Sequence, residues 1–332
     1  MSNPKGLDLG TNMIVASTLD ENGNPVFKMQ RDAFYRIKPK TEVNKNSIKL
    51  SLDKRGSNYL IDEEGSFIIV GEDALEIAIE RNDVAKRPMQ RGVVSPKDKA
   101  SLPMLKLIIE SLVGSGQPGD RLIYSVPAKP IDDSFNIVYH TEIMGFYLKQ
   151  LGFDVSPINE AFAIALSELL DEGLTGIAIS FGAGLVNVCV VHEGDPLVEF
   201  SINRGGDFID QSVGTALDTS SSLVQIEKEA GTDLYNPTSK IMEAVSVYYS
   251  SVINYTMQNI AFELKQREKE IPLFRSPVPI VVAGGLSMAI GFTKRVEEVL
   301  STITLPVKIS GVKLADSPIK TVANGCLLAA SI

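Results

Sequence analysis

Residues 7–12, LDLGTN, and residues 179–184, ISFGAG, each place a glycine turn at the end of an apolar run, and such turns can hold phosphate. Glycine lets the backbone come close, so that successive N–H groups point inward as a small anion cradle. Asp8 ends the first run just before its turn, where a carboxylate can hold a hydrated Mg²⁺ against phosphates. Ser180 and Asn187 stand in and after the second. A serine donates one hydrogen bond but cannot neutralise a dication or anchor its water as a carboxylate does. A third glycine element, PIVVAGGLSMAIGF, takes a buried strand through Gly284 and Gly285 into a helix, which lets a flat base or an α-phosphate approach the backbone and the helix start. Taken singly, each element is also an ordinary hairpin or packing turn. Two phosphate turns closing one cleft would grip a di- or triphosphate from opposite sides.

The elements that must position these turns are duplicated. LDLGTNMIVASTLDENGNPVF (7–27) and ISFGAGLVNVCVVHEGDPLVEF (179–200) both read as strand, glycine turn, apolar strand, polar turn and third strand. After the first meander, SLPMLKLIIESLVG has helical spacing, RLIYSVPA is a short buried strand stopped by Pro127, and DSFNIVYHTEIMGFYLKQLGF is a helix that Asp133 or Ser134 would cap. After the second, a long helical stretch begins at SKIMEAV, VPIVVAGG is a buried strand and SMAIGFTKRVEEVL a helix. Residues 33–84 form a charged insertion, whose charges read mainly as solvated surface. Two α/β domains sharing a cleft are expected.

Composition limits the partners. The chain has 332 residues, 44% hydrophobic and 22% charged, enough for two cored domains and inconsistent with disorder. A net charge of −9 repels phosphate backbones, so no direct nucleic-acid partner is expected. Cys189 and Cys326 lie in apolar runs and read as buried reduced thiols. Two histidines, His140 and His192, cannot assemble an imidazole-rich metal site. The N-terminus lacks the shape of a signal peptide and no window is apolar enough to cross a bilayer, so a cytoplasmic location without a direct membrane anchor is expected.

Five segments together resemble a known superfamily. GLDLGTNMIVAS, VSPINEAFAIALSELL, GIAISFGAGLVNVCVV, PIVVAGGLSMAIGF and SPIKTVANGCLLAA resemble, in order and spacing, the phosphate-1, connect-1, phosphate-2, adenosine and connect-2 segments of the actin, DnaK-type chaperone and sugar-kinase superfamily. KRPMQRGVVSP and the overall length are most similar to bacterial actins of the MreB and MamK kind. The resemblance implies an actin-like (ribonuclease H-like) duplicated two-domain α/β fold with a nucleotide cleft between the domains. Its parts would be residues 1–32, 85–157 and 319–332 (IA), 33–84 (IB), 158–203 and 275–318 (IIA) and 204–274 (IIB).

The same resemblance implies a filament-forming ATPase that closes on ATP or ADP with Mg²⁺. Asp8 would hold the metal through water, Gly10, Thr11 and Asn12 would bind phosphate, and Gly182, Ala183 and Gly184 would face them. Glu160 matches the connect-1 acid that positions attacking water, although it also begins a helix, where the dipole favours an acid in any case. Gly284, Gly285 and Leu286 would border adenosine and Gly205 and Gly206 the ribose. Glu227 and Lys228, on a helix similar to one that faces the nucleoside, complete the set, with a solvated helical face as the plainer reading. The family carries Asp at the positions of Ser180 and Asn187, so binding is expected to survive better than hydrolysis, which would be slow or altered. Losing one group that stabilises a transition state costs about 2.7–4 kcal/mol. Self-assembly is the leading expectation, with a protein adaptor as a further partner. A chaperone-like ATPase acting on a protein, a small-molecule kinase, for which no substrate base is evident, and a pseudo-ATPase scaffold are the alternatives.

Overall fold

The computed structural model describes residues 3–81, 83–94, 101–134 and 136–332; the first two residues, residues 95 and 96 at the end of KRPMQRGVVSP, and Phe135 in the segment read as a capped helix lie outside them. Lys5–Leu9 (β1), Met13–Leu19 (β2) and Pro25–Arg31 (β3) form the first antiparallel meander. Its second turn is built by Asp20, whose Oδ1 accepts from the Asn22 and Asn24 N–H groups, and by Gly23 at φ +82°. The insertion follows: Phe34–Ile37 (β4), Glu42–Arg55 (α1), Tyr59–Ile61 (β5), Phe67–Val70 (β6) and Glu72–Glu80 (α2), with a three-stranded sheet ordered β4-β6-β5. Thr41 caps α1 through the Asn44 N–H and Gly56, left-handed, ends it. Phe67, Ile69, Leu52 and Ile77 give this insertion a small core of its own.

A short hairpin, Met89–Gln90 (β7) and Val93–Val94 (β8), leads to Ser101–Val113 (α3), Arg121–Val126 (β9), Val138–Gln150 (α4) and Asp154–Asn159 (β10). The first sheet is ordered β10-β9-β1-β2-β3. Helix α4 lacks the expected cap. Asp133 is engaged by Arg91 and Asn203, and Asn136 Oδ1 accepts from the Val138 N–H instead, so the helix begins later than Asp133 or Ser134 would require.

The second half repeats the plan. Glu160–Glu168 (α5) is followed by Gly176–Phe181 (β11), Val186–His192 (β12) and Asp195–Ile202 (β13), then Gly206–Ala216 (α6), Ser221–Ala230 (α7), Lys240–Gln266 (α8), Val278–Ala283 (β14), Phe292–Leu300 (α9), Ile309–Leu314 (β15) and Thr321–Ser331 (α10). The sheet order β13-β12-β11-β14-β15 matches the first strand for strand, antiparallel within each meander and parallel beyond it. SMAIGFTKRVEEVL is broken where one helix was expected: a 3₁₀ turn over Gly285–Met288 and then α9, separated by Gly291 at φ +82°.

Each sheet has its own core, and a third cluster joins them. Ile123 of β9, the alanines of α5, Ala178 and Cys189 of the second sheet, and Val322 and Cys326 of α10 pack together between the halves. Both cysteines are free and buried. Small residues let α5 and α10 approach closely, and a Cβ at Gly325 would lie 1.8 Å from the Ala163 carbonyl oxygen. This tight crossing fixes the floor from which Glu160, the first residue of α5, projects. Among the described residues no helix is long and apolar enough to cross a membrane.

Candidate functional site

The two glycine turns meet. Gly10, Thr11 and Asn12 join β1 to β2, and the β11–β12 turn closes through the Gly182 N–H to the Leu185 carbonyl at 3.0 Å. Thr11 abuts Gly184 so closely that a Cβ there would stand 2.5 Å from Thr11 Oγ1. Thr11 Oγ1 also accepts from the Gly92 N–H of the β7–β8 hairpin at 2.9 Å. Behind the second turn, the first N–H groups of α6, from Gly206 and Asp207, donate to the Gly182 and Ala183 carbonyls at 3.0 and 2.8 Å.

Above this junction lies a cavity of about 530 Å³, within the usual range for small-ligand sites. Asp8, Gly10, Thr11, Asn12, Glu160, Gly182, Ala183, Gly184, Gly206, Lys228, Gly284, Gly285 and Leu286 all line it. Gly284, at φ +87°, turns the chain out of β14 with its Cα against the Phe181 backbone, leaving the following 3₁₀ turn, Pro318 and Ile319 as an apolar wall.

Two sequence candidates are not among the lining residues. Gly205 sits behind the second turn, against the Ala183 carbonyl. Glu227 faces away, accepting from Ser239 Oγ, the cap of α8, at 3.0 Å. Helix α7 instead presents Gln225, Lys228 and Glu229 to the cavity, spaced as one helical face. Glu227 and Glu229 stand symmetrically about Lys228 on the helix, so spacing from Lys228 does not choose between them; packing does. Arg31, Arg87, Asp207 and Asp210 also line the cavity; Arg31 is the last residue of β3 and had no motif to mark it.

The acids form the chemical end of the site. Asp8 Oδ1 accepts from Ser125 Oγ at 2.8 Å, and Ser125 Oγ in turn accepts from the Leu9 N–H. Glu160 is held at both oxygens: Ser180 Oγ donates to Oε1 at 2.5 Å and Asn187 Nδ2 to Oε2 at 2.8 Å. Burial raises the Glu160 pKa to about 7, against the pull of the Ser180 bond. Burial and then the Glu160 charge push Asp8 well above the usual carboxylate range, with Ser125 acting the other way. On the α7 side, Lys228 pairs with Asp210 at 2.7 Å and donates to the Gly206 carbonyl at 3.1 Å. Burial raises Asp210 to about 6, and Lys228 opposes the rise.

Ion pairs span the cavity mouth. Arg31 donates to Glu229 Oε2 at 2.9 Å and to Asn12 Oδ1 at 3.1 Å, while its Nε reaches Glu72. Arg87 meets Asp207 at 2.7 Å. The lining thus carries five acids, Asp8, Glu160, Asp207, Asp210 and Glu229, against three bases, Arg31, Arg87 and Lys228. A polyphosphate entering so acidic a cavity calls for an accompanying cation. No cluster of three or more His, Cys, Asp or Glu able to hold a metal occurs among the described residues. Asp8 beside the turn at residues 10–12 nevertheless suits Mg²⁺, which keeps several waters and takes one or two carboxylates plus substrate phosphates. Asp8 would hold it, and the ion would neutralise phosphate charge.

A family model described as Volactin matches residues 3–330. The chain belongs to the Volactin family. No curated protein matches it in sequence. Among solved structures, this Volactin-family chain is similar to a MamK double helical filament, at a TM-score of 0.70 and 17% identity over 100% of this chain and 99% of that one. MreB5 of Spiroplasma citri bound to AMPPNP gives 0.65 and 16% over 98% and 95%. The ethanolamine utilization protein EutJ from Carboxydothermus hydrogenoformans gives 0.53 and 17% over 99% and 90%. With the matched five-stranded sheets, these likenesses establish an actin-like fold of the bacterial MreB and MamK type.

Proposed function

We propose that the protein binds ATP or ADP with Mg²⁺ in the cleft between its two domains, assembles with copies of itself into filaments in the cytoplasm, and hydrolyses nucleotide slowly. The observation that carries this reading is the meeting of the Thr11 and Gly184 turns at the floor of one cavity whose far wall is the Gly284–Leu286 turn. That arrangement suits phosphates at one end and a nucleoside at the other. Gly10, Thr11, Asn12, Gly182, Ala183 and Gly184 would contact phosphate, Asp8 would hold the metal, and Glu160 would orient the attacking water. Gly206, Lys228, Gly284, Gly285 and Leu286 would border the nucleoside.

Filament formation is supported by the likeness to a MamK double helical filament over the whole chain. MamK and MreB5 structures bound to AMPPNP support the nucleotide. The division into IA, IB, IIA and IIB at the boundaries given above is part of the same proposal, supported by the repeated sheets and the separate core of the insertion. A head-to-tail contact that does not close on itself would give an open polymer, to which a protein adaptor could attach.

Titration with a fluorescent ATP analogue in Mg²⁺, together with electron microscopy of the protein with and without ATP, tests this reading. Saturable binding and nucleotide-dependent filaments are expected; a protein that stays monomeric at tens of micromolar and binds no nucleotide refutes it. Binding without polymer would point to a chaperone-like ATPase working on another protein. Polymer or partner binding without nucleotide would point to a scaffold, a reading that the ion pairs across the cavity mouth, Arg31–Glu229 and Arg87–Asp207, also accommodate.

A further inference from the structure

Ser180 and Asn187 are directly opposed cross-strand partners on β11 and β12, so their side chains leave the same face of the sheet. Both are almost wholly buried, at 2% and 1% exposure. Each gives its donor to a different oxygen of the Glu160 carboxyl. Asn187 can face only one way, because its Oδ1 accepts from the Ala128 N–H at 3.0 Å, which leaves Nδ2 for Glu160. The Ala128 peptide is itself held from the other side, where Ser201 Oγ donates to its carbonyl at 2.8 Å. A glutamate has three side-chain torsions to order, and here two anchored donors order them before any ligand arrives. One lone pair on each oxygen stays free for water.

We propose that Ser180 and Asn187 are positioning residues for hydrolysis, pinning the Glu160 carboxylate, and through it the attacking water, with two neutral donors. The proposal rests on the reading of a nucleotide in the cleft with its phosphates beside Glu160. In the step concerned, the water oxygen bonds to the terminal phosphorus while the bridging P–O bond breaks. That bond's electron pair leaves on the ADP oxygen, and the water proton passes to the Glu160 carboxylate and on to solvent. Neutral donors matter because Asp8 already shares this low-dielectric pocket. A further acid at position 180 or 187 would face the Glu160 oxygens at hydrogen-bond distance, and the pair would have to share a proton or separate. The replacement of two acids by Ser180 and Asn187 is on this view a different way of holding the catalytic carboxylate, and not simply a loss.

The test measures single-turnover hydrolysis per bound ATP in Mg²⁺, with bound nucleotide quantified separately, for the parent protein and five variants. Asn187→Asp keeps the shape and the acceptor for Ala128 but turns an oxygen toward Glu160 Oε2; Ser180→Ala removes the other donor. Each is expected to slow the step about 10- to 100-fold, the usual effect of losing a partner that orients a functional ligand. Ser180→Thr, which restores a hydroxyl, is expected to recover most of the rate. In a Glu160→Ala background, Ser180→Ala is expected to add nothing, because the group it orients is gone. Rates within twofold of the parent in both Ser180→Ala and Asn187→Asp overturn the proposal, as does Ser180→Thr remaining as slow as Ser180→Ala, or a parent that binds ATP and never hydrolyses it. A parent that binds no nucleotide overturns the cleft reading itself, which the binding measurement reports separately.

Discussion

Replacing Glu160 by glutamine should make the ligand-free protein less sensitive to pH. Burial lifts this carboxyl from 4.5 to about 7, so between those values the folded state holds a proton that the unfolded chain has released. Stability therefore falls as pH rises across that window, since there the native state binds more protons than the unfolded one. At about 1.4 kcal/mol per pH unit, the full rise corresponds to about 3 kcal/mol; the carboxyl faces an open cavity, and screening there reduces the figure to about 2 kcal/mol. Glutamine preserves the hydrogen bonds, its oxygen accepting from Asn187 and its amide donating to the Ser180 oxygen. Asp8 titrates in the same direction in both proteins, and because the Glu160 charge is one cause of its rise, the variant also lowers the Asp8 share, which adds to the difference in the same sense. Thermal melts at pH 5, 6, 7 and 8, in EDTA and without nucleotide, should show the parent losing about 4 °C more than Glu160→Gln between the extremes. Parallel curves would refute the claim that Glu160 is held in a low-dielectric site, and a larger loss in Glu160→Gln would reverse its sign.

Other perturbations separate the parts of the site. Gly325→Ala forces a methyl against the Ala163 carbonyl at the α5–α10 crossing and should cost about 3 kcal/mol of stability in urea unfolding. Gly184→Ala pushes a Cβ into Thr11 Oγ1 and the Gly92 N–H, so the two turns must part, and ATP affinity should fall at least about tenfold with a smaller loss of stability, roughly 1–3 kcal/mol. Arg31→Ala breaks the cross-mouth bridge, whose members are 19% and 34% exposed. It should cost only about 0.2–1 kcal/mol, less at high salt, while speeding nucleotide association in stopped-flow measurements.

Much of the architecture was legible because it follows from local rules repeated twice. Apolar runs broken by glycine turns, with Asp20 and Gly23 or Glu193 and Gly194 between the later strands, specify each meander without reference to the rest of the chain. Helix ends were less readable. Helix α4 begins after Asn136, without the expected cap, because Asp133 is drawn to Arg91 and Asn203, and Asn203 is 70 residues away in sequence. In the site, motif residues such as Asp8, Thr11 and Gly284 could be named from their turns, whereas Arg31 and Glu229 carry no local mark and line the cavity only because distant segments pack around it.

From its residues alone, this chain determined a duplicated α/β plan with paired glycine turns, since backbone approach and strand alternation are properties of a few neighbouring residues. Folding decided the chemistry at the acid end. Whether Ser180 and Asn187 meant a missing charge or a working donor depended on which atoms they met, and both meet Glu160, from another element. Hydrogen bonds between residues distant in the chain are set by packing across α5, α10 and the two sheets, and no pattern along a single strand encodes them.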